Sequence, residues 1–321
     1  MIGMKRFHTI SFRVGILAAG AVFLSCVHEN PESPPPTGTK TAYGSIVVSF
    51  NDDFSPYWKA ATNVSADLYD GEAPSPVEWQ QQAAIGACYV AKPVAPFCDP
   101  GCGSGSLCTT GGVCRAFPSR LNAGVLTVTG VKTASGASSL VMSPSLTGYR
   151  PTGITLADTP FAEGETLTIT AGGGPDVPTF SVTGRGHAPP RLLNDSIILD
   201  GKSILLRWTP PGPEAGPSEF QAHIDISHHG GIKGTLVCVG EDDGELEIPG
   251  PLVNHLKALG ISGFPQIDLI RRAVVPVIDH HVVLSVEART LRYVTIPGLV
   301  SCREDDECPG GQTCQADFRC Q

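Results

Sequence analysis

Charged residues are scarce in this chain of 321 residues, since Asp, Glu, Lys and Arg together make up only 17% of it. Globular proteins average about a quarter. Long hydrophobic runs are also missing: the apolar run Val14–Leu24 has eleven residues, and a transmembrane helix needs about 20. Low charge argues against a coiled coil or a helical bundle, and the short run argues against a membrane-spanning helix.

Catalytic motifs are missing as well. The sequence has no H-E-x-x-H zinc motif, no P-loop, no dinucleotide-binding glycine fingerprint and no G-x-S-x-G nucleophile elbow. Each of these motifs identifies an enzyme class through a defined chemical mechanism. Their absence favours a protein that is not an enzyme, with an active site assembled from distant residues as the alternative.

Glycine and proline are abundant instead, with 37 and 28 residues. They separate short segments rich in Val, Ile, Leu and Thr, which is the pattern of strands joined by turns. The predicted strands are 44–50, 63–69, 85–91, 124–131, 165–171, 203–209, 220–227, 234–240, 281–288 and 292–298. We therefore predict a mainly β protein, an antiparallel β-sandwich of one or two immunoglobulin-like units with two small disulfide-rich modules.

Alternation within these segments predicts which side chains face the core, because successive strand residues point to opposite faces. One face of 220–227 carries the apolar residues Phe220, Ala222, Ile224 and Ile226. One face of 203–209 carries Ile204, Leu206 and Trp208. Only 251–259 has helical character, with Pro251 in its first turn and Gly260 after its last residue.

The N-terminal residues 1–25 have the features of an export signal. Three basic residues and no acidic residue accompany the apolar run Val14–Leu24. The segment Phe-Leu-Ser-Cys at 23–26 resembles the lipobox of bacterial lipoproteins. The resemblance implies acylation of Cys26 and an exported protein anchored in the lipid bilayer of the outer membrane or cell surface. A plain signal peptide or an uncleaved anchor is the alternative.

The segment 26–41 is predicted to be a tether, since it contains four prolines and no apolar periodicity. Removal of residues 1–25 changes the formal net charge from −9 to −12. Phosphate backbones repel a chain of that charge. We therefore predict no nucleic-acid partner.

Ten cysteines besides Cys26 define two modules and one further pair. Five residues separate each neighbouring pair among the C-terminal cysteines Cys302, Cys308, Cys314 and Cys320. The same spacing recurs among the last three of the mid-chain cysteines Cys98, Cys102, Cys108 and Cys114. Such spacing in an exported chain predicts disulfide bonds rather than zinc. Cys88 is predicted to pair with Cys238, whereas the pairing within each module stays open.

The C-terminal stretch CREDDECPGGQTCQADFRC (302–320) resembles the short cysteine-rich repeats, of EGF-like size, in myxobacterial surface proteins. Asp305 and Glu307 occupy the acidic positions of that pattern, and Gly310 the glycine position. Much of the remaining chain resembles uncharacterised lipoproteins of the same kind of organism. The resemblance implies location and architecture but no single activity. The predicted organisation is a signal peptide 1–25, a tether 26–41, a β-sandwich region 42–300 with a cysteine-rich insertion 98–114, and a C-terminal module 301–321.

Acidic residues between two predicted strands are the best metal candidates. Asp242, Asp243 and Glu245 surround Gly244, but their spacing does not match an EF-hand. A hairpin turn on Asp243-Gly244 explains the cluster without a ligand. We predict no cofactor, with calcium at these three residues as the alternative.

Histidines and tryptophans supply the remaining candidates. His223 and Asp225 share a predicted strand face, as a metal site or an acid–base pair would, and His281 is a candidate third member. Trp58, Trp79 and Trp208 are candidates for a sugar-stacking platform, although alternation places Trp208 in the core.

The sequence as a whole predicts a lipid-anchored surface protein that binds or scaffolds without catalysis. A surface protein or a glycan is the expected partner, because rigid disulfide-braced loops present residues at a low entropic cost. A secreted hydrolase and a disulfide-braced inhibitor are the alternatives.

Overall fold

The computed structural model describes residues 40–54, 58–231 and 233–321. The predicted signal peptide and the lipidation site Cys26 lie outside these residues, as does most of the tether. Among the described residues, no helix is both long enough and apolar enough to cross a membrane.

Strands dominate the fold, as predicted. In chain order they are β1 (Tyr43–Asn51), β2 (Ala61–Tyr69), β3 (Glu78–Ile85), β4 (Cys88–Val94), β5 (Ser106–Thr109), β6 (Val113–Ala116), β7 (Leu126–Thr129), β8 (Ser139–Met142), β9 (Thr166–Ala171), β10 (Phe180–Arg185), β11 (Ile204–Arg207), β12 (Glu219–Asp225), β13 (Thr235–Glu241), β14 (Glu245–Ile248), β15 (Gln266–Pro276) and β16 (His281–Tyr293). The helical elements are α1 (Gly250–Ala258) and the 3-10 turns Pro213–Ala215, Asp305–Glu307 and Pro309–Gly311.

Eight strands form one large sheet in the order β2-β1-β16-β15-β12-β13-β4-β3, and four form a second sheet in the order β10-β9-β7-β8. β11 pairs with β14, and β5 with β6, as two-stranded ribbons. All named strand pairs are antiparallel except β1 and β16, which run parallel. A parallel pair requires a long connection, and these two strands come from opposite ends of the described chain.

Two hydrophobic cores lie against the large sheet. The first lies between its β2-β1-β16 part and the four-stranded sheet, which gives the predicted sandwich. The second lies between its β12-β13-β4 part, the β11–β14 ribbon and α1. The predicted faces are confirmed: the apolar residues of β12 are fully buried, and Leu206 and Trp208 are buried in the same core. Transfer of such side chains from water stabilises the fold by about 1.5–3 kcal/mol each.

The helix prediction is confirmed to within one residue. Pro251 lies in the first turn of α1, and Leu252, Val253 and Leu256 are its buried side chains in the second core. Leu259 and Gly260 follow the last helical residue, and the amide of Gly260 still bonds to the carbonyl of Lys257 at 3.1 Å.

Several strand predictions differ from the structure. The predicted strand 85–91 contains the turn between β3 and β4, where Gly86 has a φ of 58°, a value that glycine adopts without strain. The prediction 281–288 lies within the single long strand β16, whereas only Arg292 and Tyr293 of the prediction 292–298 belong to that strand. β15 was not predicted, although its first five residues alternate between polar and apolar side chains. The other strands without a matching prediction are β3, β5, β6, β8, β10 and β14.

Disulfide bonds join all ten cysteines of the described chain. Cys88 and Cys238 connect the paired strands β4 and β13. The module bonds are Cys98–Cys108, Cys102–Cys114, Cys302–Cys314 and Cys308–Cys320. Each module therefore links its first cysteine to its third and its second to its fourth, so the two modules share one connectivity.

Candidate functional site

The open face of the large sheet, defined as the face turned away from both cores, carries most of the polar side chains of its strands. On β12, residues between the buried ones point to this face, among them His223 and Asp225. Strand pairing places His223 opposite Asp268 of β15, and Asp225 opposite Gln266. Paired side chains on one face lie about 5 Å apart, so these four residues form one polar block.

A cleft of about 460 Å³ lies over this polar block. Trp79 of β3 and Tyr89 of β4 contribute aromatic rings to its lining, which also includes Val237 and Thr235 of β13. Trp79 is 48% exposed, so its ring is available to a ligand. Aromatic walls with a few convergent polar groups are the usual composition of a binding site for a small molecule.

The cleft combines hydrogen-bond donors and acceptors with little net charge. Arg289 of β16 forms an ion pair with Asp268 and donates from Nε to Oδ1 at 3.4 Å. Burial is the main reason why the pKa of His223 is lowered, although Asp268 opposes the shift. The ring of His223 is therefore neutral at pH 7, and Asp225 carries the one carboxylate charge of the lining that no arginine balances.

His223 and Asp225 share this cleft but do not form an acid–base pair. Nε2 of His223 lies 3.1 Å from Oε1 of Gln221. Asp225 accepts hydrogen bonds from N and Oγ of Ser227 at 2.8 and 3.0 Å. The carboxylate is thus oriented by its own turn and not toward the imidazole.

His281, the third candidate, lies far from the cleft. It stacks on Tyr43 at the first residue of β16, with 4.6 Å between the ring centroids. Leu291, ten residues further along β16, is the residue beside Asp268. Since a strand rises about 3.3 Å per residue, roughly 33 Å separate the two positions, and the structure does not bring the three candidates together.

The three tryptophans divide between the open face and the core. Trp79 lines the cleft, and Trp58 lines a neighbouring cleft on the same face. Trp208 stacks on Phe220 inside the second core, with 3.5 Å between the ring centroids. Two of the candidates are therefore placed for ligand stacking, and the third has the core role that alternation predicts.

The calcium candidates do not converge on a common point. The buried carboxylate of Asp242 is paired with Arg271 and accepts hydrogen bonds from Nε1 of Trp208 and Oγ of Ser218, both at 2.7 Å. Asp243 is exposed and accepts from the backbone of Glu245 at 3.4 Å. Asp242 therefore has no carboxylate oxygen to spare for a metal.

The bend at these acidic residues also differs from the predicted hairpin. β13 pairs within the large sheet, whereas β14 pairs with β11. The residues 242–244 thus carry the chain from one layer to another, and Gly244 allows this with a φ of 108°.

The acidic positions of the C-terminal module hold its backbone. Oδ1 of Asp305 accepts from the amide of Cys314 at 2.7 Å, and Oε2 of Glu307 accepts from the amide of Arg303 at 2.5 Å. These bonds order a module that has few apolar residues.

The residues that surround His223 and Asp225 in the cleft were not predicted from the sequence. Gln266 and Asp268 alternate with buried Ile267 and Leu269 in β15, and this alternation was the available signal. Tyr89 lies in a strand whose start was misplaced, so its face was not assigned. These residues come together only because distant strands pair in the sheet, and that pairing cannot be derived from local alternation.

Comparisons with known proteins add little to this geometry. The chain matches no protein-family model and no curated protein. A crystal structure of the FN1–FN3 domains of chicken CNTN1 is similar over 73% of this chain and 74% of that chain, with 9% sequence identity and a TM-score of 0.18. So low a TM-score defines neither a family nor an activity for this chain.

Proposed function

We propose that this protein is an exported lipoprotein, of the myxobacterial surface type, that binds a glycan in the cleft on the open face without cleaving it. The observation that carries the proposal is the cleft itself, with the rings of Trp79 and Tyr89 beside His223, Asp225 and Gln266. A sugar ring has an apolar C–H face, which packs on an aromatic ring, and a rim of hydroxyls, which both donate and accept hydrogen bonds.

The charge of the cleft favours a neutral sugar over a cationic ligand. Arg289 balances Asp268, and His223 is neutral. A site built for a cation presents unbalanced carboxylates around its aromatic rings, and here only Asp225 answers that description. Binding without catalysis is supported by the separate partners of His223 and Asp225.

Binding is tested with the purified full-length protein in a zwitterionic detergent that contains no sugar. The probes are disaccharides and hexasaccharides of the cellulose, xylan, mannan and chitin series, measured by calorimetry and by quenching of tryptophan fluorescence. We expect one series to bind and Trp79→Ala to weaken it about tenfold, which corresponds to about 1.4 kcal/mol.

Phe97→Ala is the matched control, because Phe97 is an aromatic residue that is 83% exposed and lines neither cleft. It should bind like the unchanged protein. The proposal is wrong if no probe binds, or if Trp79→Ala and Phe97→Ala have equal affinities. Release of shorter sugars during the measurement would show a hydrolase instead.

Anchoring is tested separately at Cys26. Cys26→Ser should move the protein from the membrane fraction to the soluble fraction and abolish palmitate labelling, because stable anchoring requires the acyl chains. Continued labelling of the variant would disprove the lipoprotein assignment while leaving the glycan site untouched.

A further inference from the structure

A second cleft, of about 310 Å³, lies on the open face beside the first. Trp58, Asn51, Asp52 and Arg289 contribute to its lining, and Trp58 is 49% exposed. Gln266 and Asp268 line both clefts. The two clefts are therefore neighbouring parts of one surface and share a polar boundary.

Strand register shows how this surface continues across the sheet. One row of paired residues crosses five strands in the order Tyr89, Val237, His223, Asp268 and Leu291. Arg289, two residues from Leu291 on the same face, is paired with Asn51 of β1. Five interstrand spacings of about 4.8 Å separate β4 from β1, so the surface extends for about 24 Å across the strands.

Each cleft carries one tryptophan that is about half exposed. Trp79 lies at the β3–β4 end, whereas the ring of Trp58 reaches over the strand ends to lie 6.5 Å from the ring of His228, just after β12. Gln266 and Asp268, which line both clefts, lie between the two tryptophans. Two aromatic rings separated by polar side chains fit a ligand with a repeating unit. Successive units of such a ligand can each stack an apolar face on one of the two rings.

Two acceptors in the second cleft lack partners. Oδ1 of Asn51 and Oδ1 of Asp52 are buried and accept no hydrogen bond from the described part of the chain. The other oxygen of Asp52 accepts from Oγ1 of Thr290 at 3.1 Å and from Arg292 at 3.3 Å. Thr290 and Arg292 alternate with the open-face residues Arg289 and Leu291, so the carboxylate of Asp52 is turned away from the cleft, and the aromatic rings and the shared polar residues carry the contact with a ligand.

We infer that the two clefts form one groove for a linear oligosaccharide of several units, which runs across the strands from Trp79 to Trp58. This inference rests on the proposed glycan function and adds the length of the ligand and a second aromatic subsite. Short ligands occupy the first cleft, which has the larger volume and both Trp79 and Tyr89. Longer ligands reach the second cleft and stack on Trp58.

The test compares a disaccharide with a hexasaccharide of the series that binds, using the full-length protein. The unchanged protein should bind the hexasaccharide at least tenfold more tightly. Trp58→Ala should abolish that gain and leave the disaccharide affinity unchanged, whereas Trp79→Ala should weaken both ligands. Trp58→Phe, which keeps an aromatic ring, should retain most of the gain.

The outcomes separate this inference from the proposed function. If both lengths bind equally, or if Trp58→Ala weakens both lengths alike, the extended groove is wrong while the glycan site stands. If neither length binds, the proposed function fails and the groove fails with it. Phe97→Ala and the urea midpoint of each variant serve as controls, so a loss of affinity is not confused with unfolding.

Discussion

Replacement of Asp242 by asparagine should destabilise the protein by about 3 kcal/mol. Removal of one partner of a buried ion pair costs about 3–5 kcal/mol, because the other charge is left uncompensated. The side chains of Asp242 and Arg271 are each only 2% exposed. Asparagine has one acceptor oxygen instead of two, so Trp208 and Ser218 also compete for the acceptor that remains.

Other partners of Arg271 place the expected loss at the lower end of that range. Oε1 of Glu163 lies 3.6 Å from its guanidinium. The carbonyls of Ala188 and Thr209 accept from it at 3.0 and 2.8 Å. Arg271 is therefore not stripped of all partners in the variant. For a domain of this size a loss of about 3 kcal/mol lowers the melting temperature by about 6–12 °C.

Urea denaturation followed by tryptophan fluorescence measures the loss, since Trp208 contacts the substituted side chain. Asp243→Asn is the matched control: it is the same substitution one residue away on an exposed side chain, and we expect a change below about 0.5 kcal/mol. Equal effects at the two positions, or a loss below about 1 kcal/mol at Asp242, would refute the reasoning. A melting temperature that rises with millimolar calcium, and does so only while Asp243 is intact, would restore the metal site.

Two further predictions concern pH and covalent cross-linking. Both ring nitrogens of His187 are buried without a partner among the described residues, and burial, followed by Arg271, lowers its pKa. The unfolded chain therefore binds a proton below about pH 6.5 that the folded protein does not bind, so stability falls as pH falls. His187→Leu should flatten this dependence by up to about 1.4 kcal/mol per pH unit in urea denaturation between pH 6.5 and 5, and an unchanged slope would contradict the assignment. Replacement of both Cys88 and Cys238 by alanine opens a loop with a sequence separation of 150 and should lower the free energy of unfolding by up to about 5 kcal/mol on the chain-entropy account. Loss of Cys308–Cys320, with a separation of 12, should lower it by about 3 kcal/mol. The reverse order in urea denaturation would refute this account.

Local alternation predicted which face of several strands is buried. Every second residue of β12 is apolar, and these residues are fully buried. The same rule placed Trp208 in the core, where it stacks on Phe220. Proline marked the start of α1 because its ring fixes φ, and glycine marked the end because it tolerates the conformations that follow a helix. Neither effect depends on distant contacts.

Local alternation does not predict which distant strands pair with each other. β1 and β16 are parallel neighbours although their sequences lie at opposite ends of the described chain. β3 is exposed along most of its length and has little apolar alternation, so nothing local identified it as a strand. No position in the fold was therefore predicted for Trp79, and its place in the lining of the same cleft as Tyr89 follows only from the pairing of β3 with β4.

The two faces of β12 separate the stability of this protein from its proposed binding. Phe220, Ala222 and Ile224 pack in the second core, while His223 and Asp225 point into the cleft. Because neighbouring residues of a strand point to opposite faces, the cleft residues can change without any change in core packing. The sandwich thus limits where a ligand binds but not which ligand it is, and the identity of the ligand depends on the side chains of the open face.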